Sequence, residues 1–122
     1  RGIPDFLASL TNLRYLDLSS SAFDGNIPSQ IGNLSQLQHL DLSYNSLAEK
    51  IPTQFGSLSH LRYLNLAGNH YLEGSIPRQL GNLSQLQHLD LRLNSFEGNI
   101  PSQIGNLSQL QHLDLWENYF EG

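Results

Sequence analysis

The sequence predicts a solenoid of the α/β type, mostly β with short 3₁₀ turns, and three observations predict it. The phrase GNIPSQIGNLSQLQHLDL stands at positions 25–42 and returns letter for letter at positions 98–115. Related copies divide the 73 residues between the two starting points into one step of 25 residues and two of 24. Each copy joins an alternating apolar segment to a segment that contains proline and glycine. A period of this length is typical of solenoids, in which each unit packs only on its neighbours.

The chain is predicted to form one domain of stacked coils. In chain order these are a half repeat over residues 1–12, repeats over 13–36, 37–60, 61–85 and 86–109, and a half repeat over 110–122. Because the sequence starts and finishes in mid-repeat, we expect an uncapped segment of a longer chain. The repeat over 61–85 carries one extra residue near His70 and Tyr71, and we expect it to bulge outward.

The first half of each repeat is predicted to form a strand. In LQHLDL at positions 37–42 the side chains alternate, so that Leu40 and Leu42 point into the core. Equivalent strands run in one direction, so we expect a five-stranded parallel sheet with strands about 4.8 Å apart. An asparagine recurs where the chain turns off the strand, and its amide can both donate and accept hydrogen bonds. This column consists of Asn45, Asn69, Asn94 and Asn118, and Ser21 interrupts it.

The second half of each repeat is predicted to form short 3₁₀ or irregular turns. Its proline has a fixed φ and no N–H donor, so this segment suits the side of the coil away from the sheet. Its glycines permit tight bends. Ile27, Ile31 and Leu34 are spaced so that each can reach the interior that the strand leucines fill.

Composition excludes several classes of function. The 122 residues carry a formal charge of −5, and the few basic residues are scattered, which argues against nucleic-acid binding or a basic membrane patch. There is no cysteine, so neither a disulfide framework nor a thiolate metal site can form. No run of apolar residues is long enough to span a bilayer.

The repeat resembles that of the plant extracellular leucine-rich repeat family, whose consensus is LxxLxxLxLxxNxLxGxIPxxLGxL. The IPSQIG and LDLSYN segments carry the resemblance, and it covers essentially the whole chain. The resemblance implies a right-handed horseshoe with a parallel sheet on its concave face, and the ectodomain of a receptor-like kinase or receptor-like protein. The opening of the chain looks most like receptor-like proteins of the fungal-xylanase receptor type. Ser21, and Ala48 to Lys50 before Ile51, depart from the consensus without breaking it.

The resemblance implies a binding scaffold without a cofactor. Expected partners are a protein or peptide ligand on the concave face and a co-receptor, with no nucleic acid, and with the membrane reached only through a segment outside this sequence. The alternative is a secreted inhibitor of a microbial cell-wall hydrolase, built on the same repeat as the polygalacturonase-inhibiting proteins. Ice binding is a third hypothesis, but it needs a regular polar grid, which the mixed column of Ala67, Arg92 and Trp116 contradicts.

Outward strand positions supply the candidate ligand-binding residues. Tyrosine, arginine and tryptophan dominate binding hot spots, although a single exposed aromatic residue is ordinary. The predicted binding residues are Tyr15, His39, Tyr44, Tyr63, His88, Arg92, His112, Trp116 and Glu117. His88 and His112 with Asp90 and Asp114 could bind zinc, but a copied histidine on a flat sheet lacks supporting residues, so no metal is predicted. No serine lies in a nucleophile motif, so the protein is not expected to be an enzyme.

Two further expectations concern modification and pH. Asn33, Asn82 and Asn106 each begin an Asn-Leu-Ser sequence, which predicts N-glycosylation, although the same residues could simply shape a turn. The aspartates beside His88 and His112 are expected to raise the histidine pKa values. On that basis the protein should be slightly more stable near pH 5.5 than near pH 8.

Overall fold

The computed structural model describes residues 1–121, which form a stack of coils. Ten short strands alternate along the chain with five 3₁₀ helices. The strands are β1 (Tyr15–Asp17), β2 (Asp24–Asn26), β3 (His39–Asp41), β4 (Ser46–Glu49), β5 (Tyr63–Asn65), β6 (Tyr71–Gly74), β7 (His88–Asp90), β8 (Ser95–Gly98), β9 (His112–Asp114) and β10 (Tyr119–Phe120). The 3₁₀ helices span Asp5–Ser9, Ser29–Asn33, Thr53–Ser57, Arg78–Asn82 and Ser102–Asn106.

The first sheet is the predicted five-stranded parallel sheet, in the order β1-β3-β5-β7-β9. Its register is uniform, and the central leucines Leu16, Leu40, Leu64, Leu89 and Leu113 face one another across the strands. Leu40, Leu64 and Leu89 are fully buried because their side chains point into the core between neighbouring coils, whereas Leu113 in the last strand is 43% exposed. The predicted alternation of inward leucines with outward polar and aromatic residues is therefore confirmed.

A second five-stranded sheet was not predicted. It runs in the order β10-β8-β6-β4-β2, and all its pairs are parallel. Its inward residues, among them Leu47, Leu72 and Phe96, are fully buried. The segments contain glycine and acidic residues, which have low strand propensity, so the pairing comes from the stacking of equal coils.

The extra residue of the third repeat is taken up within the second sheet. Where β2 pairs with β4, Asp24 faces Ser46, so partner residues lie 22 positions apart in the sequence. Where β4 pairs with β6, Ala48 faces Tyr71, so the separation is 23 positions and includes the extra residue. The backbone turns at His70, and the Leu72 N–H donates to the Asn69 carbonyl at 2.9 Å. His70 and Tyr71 are exposed, so the core is undisturbed.

Each 3₁₀ helix begins after a proline and is followed by a leucine. Pro28, for example, has φ −62° and ψ 126°, and Leu34, directly after the helix, has φ −80° and ψ 70°, an inverse γ-turn. Neighbouring helices pack closely because of glycine: a Cβ atom at Gly32 would lie 2.5 Å from the Gln54 carbonyl oxygen. The sequence predicted such short turns on the side of the coil away from the first sheet.

The asparagine column joins consecutive coils, as predicted. Nδ2 of Asn69 donates to the carbonyls of Leu42 in the preceding coil, at 3.0 Å, and of Leu66 in its own, at 3.1 Å. Its Oδ1 accepts from the Leu47 N–H at 3.1 Å. Asn45, Asn94 and Asn118 repeat this pattern. Where Ser21 interrupts the column, its backbone N–H donates to Oδ1 of Asn45 at 3.0 Å.

Candidate functional site

The outward residues of the first sheet form columns that run across the strands, and the first column is aromatic. It contains the first residue of each strand: Tyr15, His39, Tyr63, His88 and His112. Consecutive ring centroids lie 4.0–4.4 Å apart, and the ring planes deviate from parallel by at most 14°. We call this continuous stack the ring column. Its faces are occupied by neighbouring rings, so a ligand lying along the sheet meets the ring edges.

The ring column changes the expected histidine chemistry. The pKa of His39 and that of His88 lie below the ordinary histidine value, chiefly because burial among the rings disfavours the charged form. For His88, the positive charge that His112 can carry acts in the same direction, and Asp90 opposes it without reversing it. The expectation that the aspartates raise the His88 pKa is therefore wrong.

The second column is acidic apart from Asn65 in β5. It contains Asp17, Asp41, Asn65, Asp90 and Asp114, each the last residue of its strand. One oxygen of each side chain, Oδ1, accepts a hydrogen bond from the backbone N–H two residues later, as from Ser43 to Asp41 at 2.9 Å. The aspartates are thereby held in one orientation.

Arg92 spans the acidic column at its C-terminal end. Its Nη1 lies 3.1 Å from Oδ2 of Asp90 and 3.4 Å from Oδ2 of Asp114. Its Nη2 donates to the Tyr44 hydroxyl at 3.3 Å, and this bond, followed by the charge of Asp90, raises the Arg92 pKa above its ordinary value. Asp90 is only 3% exposed, so Arg92 compensates a buried negative charge.

Tyr44 reaches Arg92 by crossing Gly68 in the coil between them. A Cβ atom at Gly68 would lie 2.5 Å from Cδ1 of the Tyr44 ring, and the φ of Gly68 is +73°. Tyr44 itself has φ +55°, in the left-handed region that non-glycine residues seldom adopt. The sequence analysis identified Tyr44 and Arg92 as separate candidate residues. Gly68, which has no side chain and lies between them, is the sequence signal that could have indicated their contact.

The predicted binding residues share one face but form separate groups. Five of them make up the ring column, and Tyr44 with Arg92 forms a second group. Trp116 follows β9 and is 66% exposed, and Glu117 beside it is also exposed. This face therefore offers ring edges, fixed carboxylates and one large free aromatic side chain.

His88, Asp90 and His112 form a cluster whose potential ligand atoms lie within 4.8 Å of one another. An imidazole nitrogen binds a metal through a lone pair in the ring plane. The two rings are stacked within 4° of parallel, so their lone pairs do not converge on one point. Oδ2 of Asp90 already faces Arg92. The arrangement as it stands does not fit a metal ion.

The Asn-Leu-Ser sequences lie on the opposite side of the coils. Asn33, Asn82 and Asn106 each end a 3₁₀ helix, and all three are exposed, as are the serines two positions later. In each case the serine N–H donates to the asparagine carbonyl at 2.9 Å, so the sequence also shapes a tight turn. The asparagine side chains are accessible for modification.

A groove of about 740 Å³ lies beside the second sheet, away from the face just described. Its charged lining residues are Asp5, Asp24, Glu49, Lys50 and Glu73, and the part of the chain described contributes no aromatic residue to it. The sequence analysis did not identify this groove, because the second sheet was not predicted. We place the candidate site on the first sheet, where the ring column, the Tyr44–Arg92 pair and the oriented aspartates lie.

The family profile described as leucine-rich repeat region matches residues 53–119, and the profile described as leucine rich repeat matches residues 11–70. A comparison of the sequence with curated proteins gives no significant match. Among residues 1–121, no helix is long and apolar enough to cross a membrane.

Three solved structures illustrate the similarity of the fold. The plant peptide hormone receptor RGFR1 in complex with RGF2 is 39% identical with a TM-score of 0.95, and the match covers 98% of this chain and 19% of that one. The Arabidopsis receptor kinase HAESA, in complex with the peptide hormone IDA and the co-receptor SERK1, is 38% identical with a TM-score of 0.93, over 98% of this chain and 20% of that one. A plant ice-binding protein is 33% identical with a TM-score of 0.90, over 98% of this chain and 38% of that one.

The chain therefore spans about a fifth of the length of the two receptor chains. The repeated strands, the asparagine column and the profile match over residues 53–119, which is more than half of the sequence, agree on one assignment. The chain belongs to the leucine-rich repeat family.

Proposed function

We propose that this chain is part of the ligand-recognition region of a plant receptor ectodomain and binds a peptide or protein segment on the outward face of its first sheet. The observation that carries this proposal is the grouping on one face of the ring column, the Tyr44–Arg92 pair and Trp116. Trp116 is 66% exposed and Tyr44 48%, which leaves large aromatic surfaces available to a partner. Tryptophan, tyrosine and arginine are the residues that contribute most to binding energy at interfaces.

The structural matches support this proposal. RGFR1 is described in complex with RGF2, and HAESA in complex with the peptide hormone IDA and the co-receptor SERK1. We therefore propose the same class of partners here, namely a peptide ligand and a co-receptor. The protein acts in this proposal by binding and not by catalysis, outside the cell and at the plasma membrane.

Glycosylation of Asn33, Asn82 and Asn106 is part of the same proposal. All three asparagines are exposed on the side of the coils away from the first sheet, so sugars attached there would leave the binding face open. A shift in mass after enzymatic removal of N-glycans from the secreted protein, abolished by replacing the three asparagines with glutamine, tests this point. An unchanged mass would contradict it.

The ice-binding match does not favour ice as the ligand of the first sheet. An ice-binding face needs a regular polar grid, whereas the corresponding positions of this face hold the bulky Trp116, the paired Arg92 and the buried Ala67. The mixed chemistry suits a partner that also differs from one coil to the next.

Selection of peptides from a displayed library on the intact protein, followed by affinity measurements, tests the proposed function. We expect Trp116→Ala to weaken binding of the selected peptides at least about tenfold, as removal of a central aromatic contact does. Tyr119→Ala is the matched control, because Tyr119 is similarly exposed, at 71%, but lies on the second sheet. Equal losses from the two substitutions, or the absence of any selected peptide, would contradict the proposal.

A further inference from the structure

The acidic column contains two pairs of aspartates in equivalent positions, and the side chain of Arg92 contacts one of these pairs. Asp17 faces Asp41 across β1 and β3 in the same register in which Asp90 faces Asp114 across β7 and β9. Both pairs therefore place two carboxylates on adjacent parallel strands, about 4.8 Å apart along the stack. The two pairs differ in the side chain that lies two residues after the aspartates: Arg92 contacts the C-terminal pair, and serines contact the N-terminal pair.

The C-terminal pair holds a guanidinium group. Nη1 of Arg92 lies between Oδ2 of Asp90 and Oδ2 of Asp114, at 3.1 and 3.4 Å. In both aspartates Oδ1 is used elsewhere, by the backbone N–H of Arg92 and of Trp116. A cation between two such carboxylates is thus held by the two Oδ2 atoms, while the Oδ1 atoms fix the orientation of the side chains.

The N-terminal pair uses its Oδ1 atoms in the same way, although Asp17 is exposed and Asp41 only partly buried. Oδ1 of Asp17 accepts from the N–H and the hydroxyl of Ser19, and Oδ1 of Asp41 accepts from those of Ser43, with hydroxyl distances of 2.6 Å. Ser19 and Ser43 occupy the position that Arg92 has in its own coil, two residues after the aspartate. Within residues 1–121, no basic nitrogen forms an ion pair with Asp17 or Asp41.

The negative charge of Asp17 is favoured by its hydrogen bonds. The hydrogen bonds from Ser19 hold the pKa of Asp17 below its ordinary value, so this carboxylate stays ionised. His39 lies beside both aspartates but is neutral at pH 7, since burial lowers its pKa. Two oriented carboxyl groups thus lie next to the ring column, and no basic side chain within residues 1–121 forms an ion pair with either of them.

We propose that the Asp17–Asp41 pair binds the arginine or lysine side chain of a bound peptide, in the way that Asp90 and Asp114 bind Arg92. This inference rests on the proposed function, since it names the chemistry of the peptide at the N-terminal end of the binding face. Charge complementarity and the occupied equivalent pair within the same chain carry it. A positive charge between two carboxylates that are already oriented forms strong, charge-assisted hydrogen bonds. The peptide is therefore basic at the end that lies over β1 and β3.

The test uses small probes on the intact protein, so that it does not depend on finding the natural ligand. Saturation-transfer NMR is recorded with N-acetyl-arginine amide and N-acetyl-lysine amide. N-acetyl-citrulline amide, which resembles the arginine probe in shape but carries no charge, is the reference. We expect a stronger signal from at least one charged probe than from citrulline.

The decisive variant is Asp17→Asn with Asp41→Asn. Asparagine keeps an Oδ1 acceptor for the serine N–H groups, so the turn survives while the charges are removed. Glu73→Gln with Glu97→Gln is the matched control, because it removes two exposed carboxylates from the second sheet. We expect the aspartate variant to lower the charged-probe signal to the citrulline level and the glutamate variant to leave it unchanged. The single variants Asp17→Asn and Asp41→Asn replace the double variant if circular dichroism shows that it does not fold.

Two results would overturn the proposal: charged probes that give no more signal than citrulline, or equal losses in the aspartate and glutamate variants. The library selection on the first-sheet face distinguishes this failure from failure of the proposed function. Selected peptides whose binding depends on Trp116 but is unaffected by Asp17→Asn with Asp41→Asn would preserve the function and reject the basic-residue site. Charged probes that bind at the aspartate pair when no peptide is selected would preserve the site and reject the peptide-recognition function.

Discussion

The Tyr44 hydroxyl accepts a hydrogen bond from Nη2 of Arg92 at 3.3 Å, although the two residues lie 48 positions apart. Arg92 at the same time holds Asp90 and Asp114 through Nη1. A single guanidinium group therefore contacts outward side chains of three coils, namely those that contain β3, β7 and β9. These contacts fix the side chains at this end of the proposed binding face.

Replacing Arg92 by alanine is expected to destabilise the protein by about 1–3 kcal/mol, because it leaves the buried carboxylate of Asp90 without its charged partner. Arg78→Ala is the control, since Arg78 is exposed at the start of a 3₁₀ helix. Urea denaturation of both variants measures the difference. Equal unfolding free energies would show that the ion pairs with Arg92 do not contribute to stability.

Asn69→Ala is expected to cost roughly 2–4 kcal/mol, because Asn69 is fully buried and its amide satisfies backbone groups of two coils. Asn99→Ala, at an exposed asparagine, should change stability by no more than about 0.5 kcal/mol. Thermal or urea unfolding checks both values. A small effect at Asn69 would mean that water can replace the amide between coils.

Leu89→Ala should cost about 2–5 kcal/mol, as truncation of a buried leucine does, and Leu89 has no exposed surface. Gln87→Ala, two positions earlier on the exposed side, should cost within about 0.5 kcal/mol. The pair tests the strand register by equilibrium unfolding. Similar losses at both positions would be incompatible with the register of β7 against β5 and β9.

Stability should fall as the pH is lowered from 8 to 5, in contrast to the expectation from the sequence. Because the folded pKa values of His39 and His88 are lowered, the folded state favours the neutral rings. Their contribution is complete above the ordinary histidine value of about 6.5 and is lost as the pH falls below it. His39→Gln with His88→Gln should reduce this pH dependence. Unfolding curves at pH 5 and pH 8 measure it, and greater stability at pH 5 in the wild type would refute the stated pKa directions.

The first sheet and the asparagine column could be predicted because each repeat specifies them in the same way. Leu40 in β3 and Leu64 in β5 both point inward, because side chains along a strand alternate between its two faces with a period of two residues. The amide of Asn69 is required wherever the chain leaves the strand, since it satisfies backbone groups that would otherwise be buried without partners.

The second sheet and the ring column depend on which segments of neighbouring coils pair and on how their side chains are oriented, and the pattern of one repeat does not state either. Phe96 looks like an isolated apolar residue in SFEG, and its strand becomes evident only once neighbouring coils are stacked in register. His39 and Tyr63 were predicted as separate binding residues. Their stacking, at 4.1 Å between centroids, follows from the strand spacing combined with a shared side-chain orientation. The predicted direction of the His88 pKa shift was wrong because the prediction considered the neighbouring charges and omitted the effect of burial.

The ring column also limits how this surface can diversify. His39, Tyr63 and His88 each contact a ring on both sides, so a substitution at any one of them alters the contacts of two other coils. The effects of substitutions at adjacent rings are therefore expected to be non-additive, as they are for residues in direct contact. Although the coils repeat one sequence unit, their outward rings form one continuous stack, so we expect a change at one ring to require compensating changes at its neighbours.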